Sequence, residues 1–185
     1  MDIEFRDMMA SFPTGVSVVT ARGGNAEPRG MTCSSLCSLS VNPPTLLTCL
    51  RSGSPTLGAV TDSGAFAVNL LHGGADWVAA LFASGAPDRW ERVAWRPFGR
   101  TRSPALVEAA HAVAECTVER THPSGDHVIV VGAVRSVERY RHGSALLYGF
   151  RRYGELAPGV PAVVGEGAVG ARGVGVRGAL SERGR

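Results

Sequence analysis

The segment from His127 to Tyr140, HVIVVGAVRSVERY, does most to limit the folds open to this chain. Its β-branched residues lose too much χ1 freedom in a helix and pack well on a pleated surface, so it reads as one long strand. Gly132 in its middle marks a bulge or a point of close approach. Shorter runs of the same kind recur: Thr14 to Ala21 (TGVSVVTA), Thr45 to Leu50 (TLLTCL), Phe66 to Leu71, His111 to Arg120 and Ala145 to Tyr148. Turn residues separate several of them, with Gly23-Gly24-Asn25 between the first strand and a second that starts near Gly30. Strands do not alternate with long helices, which argues against a doubly wound sheet. The pattern predicts a mainly β chain, an antiparallel barrel closed or partly closed, with a few short helices.

Three helices are expected. Phe5, Met8, Met9 and Phe12 repeat at three and four, giving an amphipathic helix over 4–12 that Pro13 stops. Ser54 is an N-cap with Pro55 at the first helical position, so 55–62 is helical. Trp77, Leu81 and Phe82 place a third. Residues 84–103, with Gly85, Pro87, Pro97 and Gly99, read as irregular.

Composition removes several functions. All 19 basic residues are Arg and none is Lys. A pyridoxal Schiff base, a lysine aldolase and a P-loop each need a Lys amine, so all three are excluded. The formal charge is +3, but Arg172, Arg177, Arg183 and Arg185 against Glu166 and Glu182 put +2 of it in 157–185. The remainder is about neutral and carries no basic stripe, so no nucleic-acid partner is expected. The acidic start Met1-Asp2-Ile3-Glu4 shows no signal peptide, and no run of about 18 apolar residues predicts a membrane span. Four cysteines without a framework spacing fit free thiols in a cytoplasmic protein. Residues 1–156 are read as one domain. Residues 157–185, rich in Gly, Val and Arg and without an aromatic, are read as a disordered tail or one that docks on a partner.

Some motifs tempt and fail. Gly165 to Gly170 matches G-x-G-x-x-G, but the sequence ends too soon after it for a helix and second strand. His111, His122, His127 and Cys116 fit no zinc spacing, so no metal is expected. A Ser/His/Asp hydrolase lacks the G-x-S-x-G elbow, and adjacent Asp126 and His127 on one strand would face opposite sides.

Three segments remain. Met31-Thr32-Cys33-Ser34-Ser35-Leu36-Cys37-Ser38-Leu39-Ser40 alternates hydroxyls with Met, Cys and Leu before Asn42-Pro43-Pro44. Short hydroxyls on a partly buried wall suit a cofactor pocket. Arg51-Ser52-Gly53-Ser54-Pro55 joins a strand end to a helix N-terminus, a natural anion site or a plain cap. Gly125-Asp126-His127 feeds a buried strand, either as a site or as turn closure.

In order along 4–156, Phe5-Arg6, Phe12-Pro13-Thr14-Gly15-Val16, Val18-Val19-Thr20, Gly30-Met31-Thr32, Ser34-Ser35, Ser38, Ser40 and Pro43-Pro44 resemble the short-chain flavin reductases of two-component flavin-dependent monooxygenases. Phe66-Ala67-Val68-Asn69-Leu70-Leu71, Phe82-Ala83, Asp126-His127, Val130-Val131-Gly132 with Val134, Leu146-Leu147-Tyr148 and Tyr153 continue the match. The resemblance implies the Greek-key FMN-binding split barrel, as a homodimer, with flavin in a groove near the subunit interface. Met31, Thr32, Cys33, Ser34, Ser35, Ser38 and Ser40 would line the flavin. Arg51, Ser52, Ser54 and Thr56 would hold its phosphate, with Phe82 and Ala83 nearby. Phe5, Asp126, His127 and Tyr148 would take the nicotinamide, His127 being the catalytic positioner.

The implied activity is hydride transfer from NADH, the favoured donor, or NADPH to FAD or FMN. Free reduced flavin would then serve a separate monooxygenase. A non-catalytic flavin-binding barrel and a pyridoxamine-phosphate-oxidase-like enzyme are the alternatives. Flavin preference, the partner's identity and the Arg that would read a 2′-phosphate stay open.

Overall fold

A computed structural model describes residues 2–140 and 143–156. The expected tail and the G-x-G-x-x-G lie outside the described residues. Helix α1 (Asp2–Ala10) leads to β1 (Thr14–Gly15) and β2 (Ser17–Arg22). A hairpin then gives β3 (Pro28–Cys33), followed by β4 (Cys37–Val41) and β5 (Pro44–Arg51). Helix α2 (Pro55–Ser63) and β6 (Ala65–Leu71) come next, then α3 (Asp76–Ser84). The short pair β7 (Arg96–Phe98) and β8 (Ser103–Ala105) precedes the long hairpin β9 (Ala110–Ser124) and β10 (His127–Arg139). The last hairpin is β11 (Leu146–Gly149) and β12 (Arg152–Glu155).

Among the described residues the main sheet is antiparallel with order β3-β2-β6-β9-β10-β5-β4. Its two end strands are neighbours in sequence. The expected second strand is therefore one bent segment whose first half pairs with β2 and whose second half pairs with β5. The break over 34–36 carries it across the gap. There the Ser35 hydroxyl accepts from Cys49 N–H at 2.9 Å and donates to Cys49 C=O at 3.1 Å. Cys33 Sγ sits 2.9 Å from Thr48 Oγ1. Side chains thus replace a missing rung of ladder, and the sheet curls into a barrel.

The barrel interior holds Val19, Leu50, Phe66, Val68, Cys116 and Val130, with Leu57 and Val60 of α2 closing one end. Burial pushes the Cys116 thiol up to about 12, so it is an inert packing group. Gly132 lets Phe66 in: a Cβ there would lie 2.5 Å from Phe66 Cζ. The β9–β10 register also shifts beside it, between Val131 and Gly132. Outside the barrel α3 packs through Val78, Ala79 and Phe82. Buried Asn69 ties the 103–106 segment on, donating to Val18 C=O at 3.0 Å and accepting from Leu106 N–H at 2.8 Å. This order in 84–103 was not expected.

Candidate functional site

A cavity of about 1070 Å³ opens between α1, β1, the 34–36 break and β11. Phe5, Ser34, Ser35 and Tyr148, from the expected set, line it together. Local chemistry explains how each reaches it. Pro13 ends the helix, so 12–16 turns back and runs as β1 against β11, pairing Thr14 with Tyr148. Tyr148 meets Tyr153 across the hairpin with ring centroids 5.2 Å apart and planes tilted by 56°, which fixes its ring on one face. Arg6, His111 and Arg151 also line the cavity, and no Asp or Glu does. His111 is held by its Nδ1 donating to Leu71 C=O at 3.2 Å. The lining is therefore aromatic and apolar with cationic corners, the chemistry a flat ring carrying phosphate requires.

A second group gathers at the β9–β10 turn. Asp126 C=O accepts from Ser52 N–H at 2.9 Å, and His127 pairs in register with Arg51. The turn and the strand-to-helix loop are thus one surface. Gly125 adopts φ 59, which a tight turn requires. Asp126 sits in that turn, not on the strand, so its carboxylate is not sent to the opposite face. It accepts from His127 Nδ1 at 2.9 Å, leaving Nε2 for a ligand. That hydrogen bond, helped by the charges of His127 and then Arg6, holds the Asp126 carboxyl below its usual range.

Other expected residues are placed differently. Thr32 donates to Ala79 C=O at 2.6 Å, binding β3 to α3. Cys33 is buried in the barrel, and Met31 packs against that core. Ser54 accepts from Leu57 N–H as the helix cap, and it and Thr56 are buried. Of the expected phosphate group, Arg51 and Ser52 alone are exposed. Ser38 and Ser40 lie on β4 beyond the cavity, Ser40 in a separate hollow of about 570 Å³ with Leu39 and Pro43. Phe82 is buried, edge-on to Trp90 at 5.0 Å, while Ala83 is exposed. Beside them Trp90 Nε1 and Arg89 Nε are buried donors with no hydrogen-bond partner.

Cofactor-class ligands therefore fit the residues present. Ser34 and Arg6 in the cavity and exposed Ser52 at the neighbouring turn are the groups available to hold a phosphorylated ring system. Arg6, His111 and Arg151 were missed as site residues. In sequence Arg6 stands out only beside Phe5, His111 only as a candidate metal ligand, and Arg151 carries no local signal.

Comparison with known proteins agrees with this geometry. Residues 9–157 match the family described as flavin reductase like domain. The chain is 44% identical over 155 residues to a flavin reductase (NADPH) of Lentzea aerocolonigenes, covering 84% of this chain and 90% of that one. It is 38% identical over 133 residues to the flavin-dependent monooxygenase reductase subunit HsaB of Mycobacterium tuberculosis, covering 72% and 70%. A solved structure of the Streptomyces globisporus NADH:FAD oxidoreductase SgcE6, in complex with NAD and FAD fragments, superposes with a TM-score of 0.80 at 32% identity, covering 86% and 95%. With a split barrel and a cation-cornered cavity already in place, these matches identify the chain as a member of the flavin reductase family.

Proposed function

We propose that this protein reduces FAD or FMN with NAD(P)H and releases the reduced flavin to a separate monooxygenase. The observation that carries the reading is the cavity, which combines Phe5 and Tyr148, Arg6, Arg151 and His111 with no carboxylate. A flavin bound there would supply the chemistry, accepting a hydride from a reduced nicotinamide. The chain's own residues bind and orient. Ser34 holds a polar edge, and Arg51 and Ser52 offer a cationic phosphate corner. His127, aligned by Asp126, directs Nε2 at the carboxamide of the nicotinamide. No nucleophile or proton relay is required, because stacking two rings at reacting distance is the main catalytic task.

The domain is taken as 1–156 and as cytoplasmic, and no described helix is long and apolar enough to cross a membrane. A homodimer fits the unpartnered apolar side chains of α1 and its exit, Ile3, Phe5, Met8 and Phe12, each more than half exposed. Sedimentation checks this, with a monomer at micromolar concentration as the contrary result.

The activity test mixes the protein with each nicotinamide and each flavin and follows nicotinamide absorbance. Oxidation that depends on added flavin supports the reading, and none with any pairing refutes it. His127→Ala is expected to raise the KM for the nicotinamide about tenfold, the loss of one hydrogen bond of about 1.4 kcal/mol, while flavin affinity changes less. Unchanged nicotinamide kinetics would remove His127 from the site.

A further inference from the structure

Helix α1 buries little of its own surface. Among the described residues, no core cluster takes in one of its side chains. Phe5 is 60% exposed, Met9 46% and, just past the helix end, Phe12 62%. These three are spaced at i, i+4 and i+7, so they form one stripe on one face. All three line the cavity of about 1070 Å³, whereas Ile3 and Met8 do not. The apolar surface they leave uncovered thus belongs to the cavity wall. At nine residues the helix is also too short to support itself. Isolated helices under about 12–15 residues are marginal in water, and packing of an apolar face supplies most helical stability in proteins. Polar tethers join α1 to the β11–β12 turn: Arg151 Nη2 donates to Asp7 Oδ1 at 2.6 Å, and Phe150 N–H donates to Ala10 C=O. The first is an exposed ion pair, which contributes little. Both lie toward the C-terminal end of the helix, past Phe5.

We infer that α1 is a wall folded by its ligand: Phe5, Met9 and Phe12 close over the flavin ring, and the helix is ordered on the barrel when that ring is bound. The inference rests on the proposed flavin reading of the cavity. The other walls carry Leu36, Leu146 and Tyr148, so a flat ring between them and the stripe would be covered from both sides. Covering it takes three large apolar side chains out of water, which is the packing the helix otherwise lacks. The stripe lines the cavity and not the outer side of the helix, and this selects the ligand over a second copy as its cover. Ile3 and Met8 remain for a second copy. A wall of this kind suits an enzyme that passes its flavin on. Part of the contact energy goes into ordering the helix, so the ring is held loosely and the wall opens as the product leaves.

Hydrogen exchange and binding test this on the full chain. Amide exchange over 5–12, read by mass spectrometry, is expected to slow at least tenfold on saturation with FMN or FAD, while β6 is protected in both states. Flavin affinity is measured by fluorescence titration. Met9→Ala and Phe12→Ala should each weaken it at least fivefold and leave the melting temperature of the flavin-free protein where it was. Met8→Gly keeps the stripe but lowers helix propensity. It should weaken flavin binding about threefold, because the cost of forming a helix that the ligand orders appears in the binding constant. Equal protection of 5–12 with and without flavin overturns the inference, whether the helix is self-supporting or covered by a second copy. So does a lowered melting temperature of flavin-free Met9→Ala and Phe12→Ala with flavin affinity unchanged, or unchanged affinity in Met8→Gly. If neither flavin binds, the proposed function fails and this inference with it. Flavin that binds without protecting 5–12 overturns this inference alone.

Discussion

Gly132→Ala is the substitution whose outcome the structure determines most directly. The added Cβ would stand 2.5 Å from Phe66 Cζ, 2.8 Å from Phe66 Cε1 and 3.2 Å from Cys116 Cβ. Carbon atoms rest at about 3.5–4.0 Å, so the ring or the strand must move by about 1 Å. Phe66 is fully buried among Val19, Leu50, Val68 and Val130, which confine its ring. Overpacking of this kind costs about 1–3 kcal/mol, and a rigid aromatic facing backbone on a central strand belongs at the upper end, about 3 kcal/mol. For a domain of this size that lowers Tm by roughly 6–12 °C. Urea unfolding followed by tryptophan fluorescence measures it. Gly58→Ala is the control, since its Cβ would meet nothing within 4 Å on helix α2, and it is expected to be neutral or to stabilise by up to about 1 kcal/mol. Phe66→Leu removes the clashing ring edge, so the double variant should fall short of the summed losses by at least about 1 kcal/mol. A Gly132→Ala loss below about 0.5 kcal/mol, or strict additivity with Phe66→Leu, refutes the steric argument.

Ser35→Ala removes both hydrogen bonds to Cys49, and thermal unfolding should show a loss of about 1–2 kcal/mol even without ligand. No change in the apo protein would mean that the barrel closes without it. Glu115 is buried, and burial alone would raise its carboxyl pKa. The Thr101 N–H and Ser136 hydroxyl outweigh that and lower it below the ordinary value. A depressed carboxylate stabilises above the unfolded pKa, and its contribution is lost as pH falls through the folded pKa. Wild-type stability should therefore decline below about pH 4.5. Glu115→Gln should be weaker by about 2 kcal/mol at neutral pH and show a flatter acid limb. Parallel pH–stability curves for the two would contradict this account.

Strand pattern, caps and turns were legible because they are local. The β-branched run of 127–140, the Ser54-Pro55 cap and the Asn42-Pro43 turn each carry their own signal and appear where expected. Gly132 was readable as a close approach, although its partner Phe66 was not. What failed depends on distant groups. Strands β7 and β8 each contain a proline and read as loop; Asn69 and Glu115, from other strands, supply the hydrogen bonds that order 101–106. Strand β12 is four largely polar residues and exists through its pairing with β11. In the site, the order of motifs brought Phe5, Ser34, Ser35 and Tyr148 together. It could not show that Thr32, Cys33 and Ser54 already had partners, because those partners lie on α3, β5 and α2.

The bent strand that closes the barrel is also the strand that presents Ser34 to the cavity, so neighbouring residues answer to different selections. At 32, 33 and 35 a change is felt by every molecule, loaded or empty, as lost protein. At 34 a change reaches the ligand while the fold stands. A library randomised over 32–35 should therefore sort in two steps. Solubility would remove most variation at three positions, and the survivors would differ in catalysis chiefly at the fourth. Within this break, ligand contact and barrel closure are thus interleaved, Ser34 facing the cavity between residues that hold the wall shut.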